Sequence, residues 1–166
     1  MLTNVEIVGF KGEITDIKKT LKEIDKIQDS CCDGCIIQLM NAKAIAGKKH
    51  LEHGIIHAIN AFKRNENLAK DLSIEILLRT SAQRQISKAF DILGLKTGKM
   101  EIATVLINCP EYYIDELEKI FKREDNVLNP DKNQLKEIYP ISNESLNNYN
   151  IEDILIDKTS SLIVEL

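Results

Sequence analysis

Val5-Glu6-Ile7-Val8-Gly9-Phe10 is short, apolar and rich in β-formers, and it runs into Gly12; it reads as a strand. Ile14, Ile17, Leu21, Ile24 and Ile27 then recur every three or four residues, with Lys18, Lys19, Lys22, Glu23 and Asp25 between them. That spacing gathers the apolar side chains on one face of a helix. Asp33-Gly34 turns the chain into Cys35-Ile36-Ile37-Gln38-Leu39-Met40, a second strand with a buried character. Strand, helix and strand in succession place the protein in the α/β class.

Read outward from there, the alternation continues. A helix is predicted from about Gly47 to Arg64, with Leu51, Ile55, Ala58, Ile59 and Phe62 as its apolar face. Leu72 to Leu78 is rich in Ile and Leu and predicts a strand. Thr80 followed by Gln83 has capping-box spacing for a helix whose core stripe is Ala82, Ile86, Ala89, Phe90 and Leu93, with Gly94 at its C-terminal end. Ile102 to Ile107 predicts another strand, and Pro110 suits the first turn of a helix carrying Ile114, Leu117, Ile120 and Phe121. Past Asn129-Pro130-Asp131, Leu135 with Ile138, then Leu146, then Ile151, Ile154 and Leu155 mark short helices. Ser161 to Leu166 reads as a closing strand. The expectation is α/β: one domain over residues 1–166, a mixed sheet with interleaved helices packed on it.

Composition bounds the function classes. At 166 residues and 43% hydrophobic content the chain can bury a core, and it lacks the polar bias of disordered chains. No apolar run approaches the roughly 20 residues that cross a bilayer. Met1-Leu2-Thr3-Asn4 shows no charged-then-apolar leader, so no membrane association and a cytoplasmic location are expected. Four cysteines are too few for a disulfide scaffold and predict reduced thiols. The net charge of −4 argues, as an average, against a nucleic-acid partner.

The average conceals a segregation. Residues 1–40 carry a net −2, residues 41–100 a net +6 from 11 basic and 5 acidic side chains, and residues 101–166 a net −8. Fields act over about 8 Å at physiological salt, so one end of the charge distribution can meet a polyanion while the other does not. Within the basic segment, Lys43, Lys48 and Lys49 surround a predicted helix start, while Arg79 precedes Gln83, Arg84 and Gln85 at the next one. Cations at helix starts oppose the macrodipole; an anionic partner such as a phosphate would compensate them.

The remaining motifs are weaker. Cys32-Asp33-Gly34-Cys35 has C-x-x-C spacing, but no second pair follows to complete a zinc site, and it precedes a strand rather than opening a helix. His50, His53 and His57 fall within roughly a 60° arc of one helix. They lack the HExxH order, so hydrogen-bonded or interface-facing histidines are expected rather than a metal site. Gly54 shares that arc and would admit a neighbouring backbone or a ligand. Gly94-Leu95-Lys96-Thr97-Gly98-Lys99 has three residues between its glycines instead of four, and follows a helix rather than a strand; it is not a phosphate loop. No catalytic constellation and no cofactor fingerprint stands out.

Asn41-Ala42-Lys43-Ala44-Ile45-Ala46-Gly47 with His50-Leu51, the block Leu72 to Ser81, Gln85-Ile86-Ser87-Lys88-Ala89-Phe90 through Gly94-Leu95, and Leu135-Lys136-Glu137-Ile138-Tyr139 occur in the order of one small family. The chain resembles the PRPK-binding proteins, the small tRNA-recruiting subunits of the KEOPS complex, in their archaeal form. The resemblance implies a non-catalytic subunit without a cofactor. Such a subunit binds the N-terminal lobe of the complex's atypical kinase directly and the other subunits indirectly. It also recruits tRNA, including its 3′ CCA end, for threonylcarbamoyl-adenosine formation beside the anticodon. The alternative is a purely protein-binding regulator of the kinase with no RNA contact. Carried onto this sequence, RNA contact is expected at Lys43, Lys48, Lys49, His50, Arg64, Arg79, Gln83 and Arg84. Kinase contact is expected at Ile151, Ile154 and Leu155 of the short C-terminal helix, unless that helix closes the core, with the Ile14–Ile27 helix as the alternative docking surface. With Phe62 and Phe90 both on core stripes, base stacking would have to come from other side chains.

Overall fold

A computed structural model describes residues 3–31 and 33–164, with side chains to Ser161. In chain order the elements are β1 (Val5–Ile14), α1 (Ile17–Asp29), β2 (Ile36–Asn41), α2 (Lys48–Arg64), α3 (Leu72–Ser81), α4 (Ile86–Leu93), β3 (Gly98–Ile107), α5 (Tyr113–Glu118), β4 (Lys122–Arg123), α6 (Lys132–Ile138), α7 (Asn143–Asn148) and α8 (Ile151–Val164). They form two compact units: residues 1–42 with 95–127, and residues 43–94 with 128–166.

The first unit holds the sheet, ordered β2-β3-β1-β4. Among the described residues every strand pairing is antiparallel, so the sheet is not the mixed one expected. The helical connections between strands are long enough to return the chain in either direction, so strand spacing alone could not set the sense. β1 lies against the full length of β3, from Val5 opposite Ile107 to Ile14 opposite Gly98. Alternation then puts Val8, Phe10 and Ile14 on one face with Met100, Ile102 and Leu106 of β3 and with Ile37 and Leu39 of β2. Ile24 of α1 and Tyr113 and Leu117 of α5 cover that face, together with Phe121. α1 starts where Asp16 accepts the Lys19 N–H at 3.1 Å, an N-cap that holds the helix register. The helix predicted at Pro110 begins at Tyr113, after a turn in which the Tyr113 N–H reaches the Pro110 carbonyl.

The cysteine expectation is corrected here. Cys35, at the entrance to β2, is disulfide-bonded to Cys109, just beyond β3, with Cα atoms 4.9 Å apart. The C-x-x-C spacing is therefore not the relevant one: Cys35 pairs across 74 residues of sequence with a strand neighbour.

The second unit is helical, and it overturns two strand readings. Leu72–Ser81 is a helix whose residues from Glu75 to Ser81 are all buried. A helix surrounded by protein shows no polar face, so its sequence looks like a buried strand. Ser161 onward does not turn into a strand either; the described part continues α8 to Val164, and residues 165–166 lie outside the described residues. Thr80 does not cap α4. The left-handed Ala82 ends α3, and α4 opens after Gln85.

α2 packs on α3 and α8, and α3 on α4. At the α2–α3 contact a Cβ on Gly54 would strike Thr80, whose Cα and Cβ would lie 3.0 Å away. The glycine thus admits a neighbouring helix, one of the two options its sequence position left open.

Candidate functional site

The expected RNA contacts separate into two groups by burial. Lys43, Lys48, Lys49, Arg64 and Arg84 are exposed, and Gln83 is half-buried. His50 and Arg79 are buried, at 0% and 1% exposure. They are corrected from surface contacts to structural groups.

The reason is visible in their partners. The Ala46 N–H donates to His50 Nδ1 at 2.9 Å, which fixes the proton on Nε2; that N–H donates to the Thr80 carbonyl, also at 2.9 Å. The imidazole is neutral and fully used, and burial lowers its pKa from 6.5 to about 4. Arg79 Nε donates to Glu75 Oε1 at 2.8 Å. The other carboxylate oxygen of Glu75 accepts the N–H groups of Leu68 and Ala69 at 2.9 and 2.7 Å. Arg79 Nη2 reaches the Glu66 carbonyl at 3.4 Å. The pair thereby fastens the 66–69 segment onto α3, in the hydrogen-bonded form that a buried charge requires.

The start of α2 also differs from the expectation of an open anion site. Gly47 caps it with φ +94°, and a Cβ there would meet the Glu152 carboxylate. An acidic side chain from α8 thus already offsets the helix dipole between Lys48 and Lys49 and the chain before them.

α4 supplies what sequence reading missed. Of its predicted core stripe only Ala89 and Leu93 are buried; Ile86 is 44% and Phe90 43% exposed. The helix has eight residues and packs on α3; Ala82 of the predicted stripe falls before it, at the end of α3. Ile86 and Phe90, four apart, are neighbours on the helix surface. Arg84 leads into this helix and Lys88 lies within it, both exposed. Beside the approach to α4, Gln83 lines a cleft of about 400 Å³ with Ser81, Tyr139, Asp157, Lys158 and Ser161. The clue in the sequence is Gln83–Phe90, where Gln83, Arg84, Gln85 and Lys88 precede an aromatic on a helix too short to hide it.

On α8, Ile151 and Leu155 are buried at 8% and 1% exposure, so they close the core rather than offering a docking face. Ile154 is half-buried and remains accessible. Of the other two histidines, His53 reaches this helix and His57 lies against His53. His53 Nε2 lies 2.9 Å from Ser160 Oγ, and His57 Nε2 lies 2.7 Å from His53 Nε2. Among the described residues no group of three or more His, Cys, Asp or Glu side chains is arranged to hold a metal. No described helix is long and apolar enough to cross a membrane.

A family model described as Kinase binding protein CGI-121 matches residues 13–161, most of the chain. The chain belongs to the CGI-121 family. One relative, the Regulatory protein Cgi121 of Methanocaldococcus jannaschii, is 37% identical over 116 residues, covering 65% of this chain and 72% of that protein. Another, the KEOPS complex subunit Cgi121 of Pyrococcus abyssi, is 33% identical over 86 residues, covering 52% of this chain and 47% of that protein. The CGI-121 match spans both compact units, from within β1 to the last turns of α8.

Proposed function

We propose that this CGI-121 protein is a non-catalytic subunit of a KEOPS complex that binds the complex's atypical kinase and recruits tRNA through α4. The observation that carries the RNA half is the exposed Ile86–Phe90 pair in a segment that also exposes Arg84 and Lys88. Single-stranded RNA is held by backbone cations together with flat or apolar platforms for its bases. The polar cleft at Gln83 adds hydrogen-bonding groups for an unpaired nucleotide, which suits the 3′ CCA end. The kinase half is supported by the family's description and by the P. abyssi relative's name. On this chain its candidate contact is Ile154, the accessible apolar residue of the three expected on α8. Lys43, Lys48, Lys49 and Arg64 serve as weaker phosphate contacts around α2.

A crossed pair of variants tests both halves at once. Arg84→Glu is expected to weaken tRNA binding by about 1 kcal/mol or more, the order of one lost and inverted phosphate contact, while leaving kinase co-purification intact. Ile154→Glu is expected to do the reverse. Kinase binding without any tRNA binding by the unaltered chain would favour the protein-only regulator.

A further inference from the structure

Ser160 of α8 meets His53 of α2, and His57 of α2 lies against the same imidazole. Ser160 Oγ donates to the Ile156 carbonyl one turn back, at 3.1 Å. Its lone pairs are what remain for His53, so His53 Nε2 carries the hydrogen in that contact. His57 Nε2 lies 2.7 Å from the same nitrogen, with the two rings edge to face at 4.2 Å between centroids. His57 Nε2 must therefore present a lone pair. The single hydrogen on His53 Nε2 is thus shared by two acceptors, Ser160 Oγ and His57 Nε2, and a second hydrogen between the facing nitrogens would have no acceptor.

We infer that the His53–His57–Ser160 contact is a proton-sensitive clasp that fastens α8 to α2 when His57 is neutral and releases it when His57 takes up a proton. A proton on His57 Nε2 would point its N–H at the N–H of His53 across the 2.7 Å contact. The surroundings add to the effect. Arg64, on α2 itself, and Arg79, on α3, both face His57 and disfavour its charge, as does His53, although burial is the larger cause. The contact from α8 is the hydroxyl of Ser160, which cannot ionise, and Arg79 is already paired with Glu75. His50 faces His53 from the preceding turn and stays neutral to lower pH. Because α8 also carries Ile154, release would weaken kinase docking; that consequence rests on the function proposed above, whereas the clasp itself does not.

Hydrogen exchange of the full chain, corrected for the intrinsic effect of pH on exchange, tests it. Between about pH 7.5 and pH 5, the α8 amides around Ser160 should lose about tenfold more protection than the α3 amides. His57→Gln should abolish that difference, since a single imidazole cannot acquire the repelling pair. Ser160→Ala should lower α8 protection already at the higher pH. Equal loss in α3 and α8 would mean general acid destabilisation and would overturn the clasp. So would an unchanged difference in His57→Gln. Kinase co-purification at the two pH values reads the docking consequence separately, so its failure would leave the exchange result standing.

Discussion

Arg79→Ala is expected to lower the stability of the fold by about 3–5 kcal/mol, the range for removing one partner of a buried ion pair. The variant leaves Glu75 fully buried and deprived of its charge-assisted bond, with only the Leu68 and Ala69 N–H groups to hold it. The 66–69 segment also loses the Arg79 contact to the Glu66 carbonyl. The double variant Glu75→Gln with Arg79→Leu should recover part of the loss, because it removes both charges together. Urea unfolding measures both. This outcome separates the two roles open to Arg79. A phosphate contact on the surface would cost RNA affinity and little stability; the buried pair costs stability first. An unfolding midpoint close to that of the unaltered chain would return Arg79 to the surface.

The second large effect is on pH. His50 has a folded pKa of about 4 against an unfolded value of 6.5. The unfolded chain therefore takes up the proton first as pH falls. The stabilisation is fully present above about pH 6.5 and declines below it. It is exhausted only beneath about pH 4. Linkage gives a loss of about 2 kcal/mol from this residue between pH 7.5 and pH 5, rising to about 3 kcal/mol at lower pH. His57, also held below the ordinary range, adds to the loss in the same direction. Unfolding free energies measured across that interval should fall steeply for the unaltered chain and less steeply for His50→Gln. Parallel curves for the two would contradict the buried neutral assignment.

Much of this architecture is legible in periodicity. α1 and α2 follow directly from spacing, because each has one face in the core and one outside it, and β1 and β2 follow from short runs of β-formers. α3 escapes because burial on every side erases the polar face that identifies a helix. Its one available signal was the Glu75–Arg79 spacing of four, which places opposite charges on adjacent turns. The Cys35–Cys109 bond escapes because sheet order, not sequence proximity, brings β2 beside β3. The site divides the same way. Charge segregation located the basic segment, but it could not tell exposed Arg84 from buried Arg79, since both are arginines beside apolar runs. Phe90 is the opposite error: a helical stripe says which side chains could be buried, while neighbouring elements decide how many are. The histidines are expected to be either hydrogen-bonded or interface-facing, and the structure gives them hydrogen-bond partners, with His50 buried rather than at an RNA surface. Which partners they would find depended on α3 and α8.

If α4 receives an unpaired RNA end on Phe90, as proposed, binding of two tRNAs, one intact and one lacking the unpaired 3′ nucleotides, to the unaltered chain and to Phe90→Ala will show it. Phe90→Ala should weaken the intact tRNA by about 1–3 kcal/mol, the worth of a lost base-stacking contact. The variant should have almost no effect on the truncated tRNA, which the unaltered chain itself should bind more weakly. Equal effects of Phe90→Ala on both tRNAs, or none on either, would contradict the proposal.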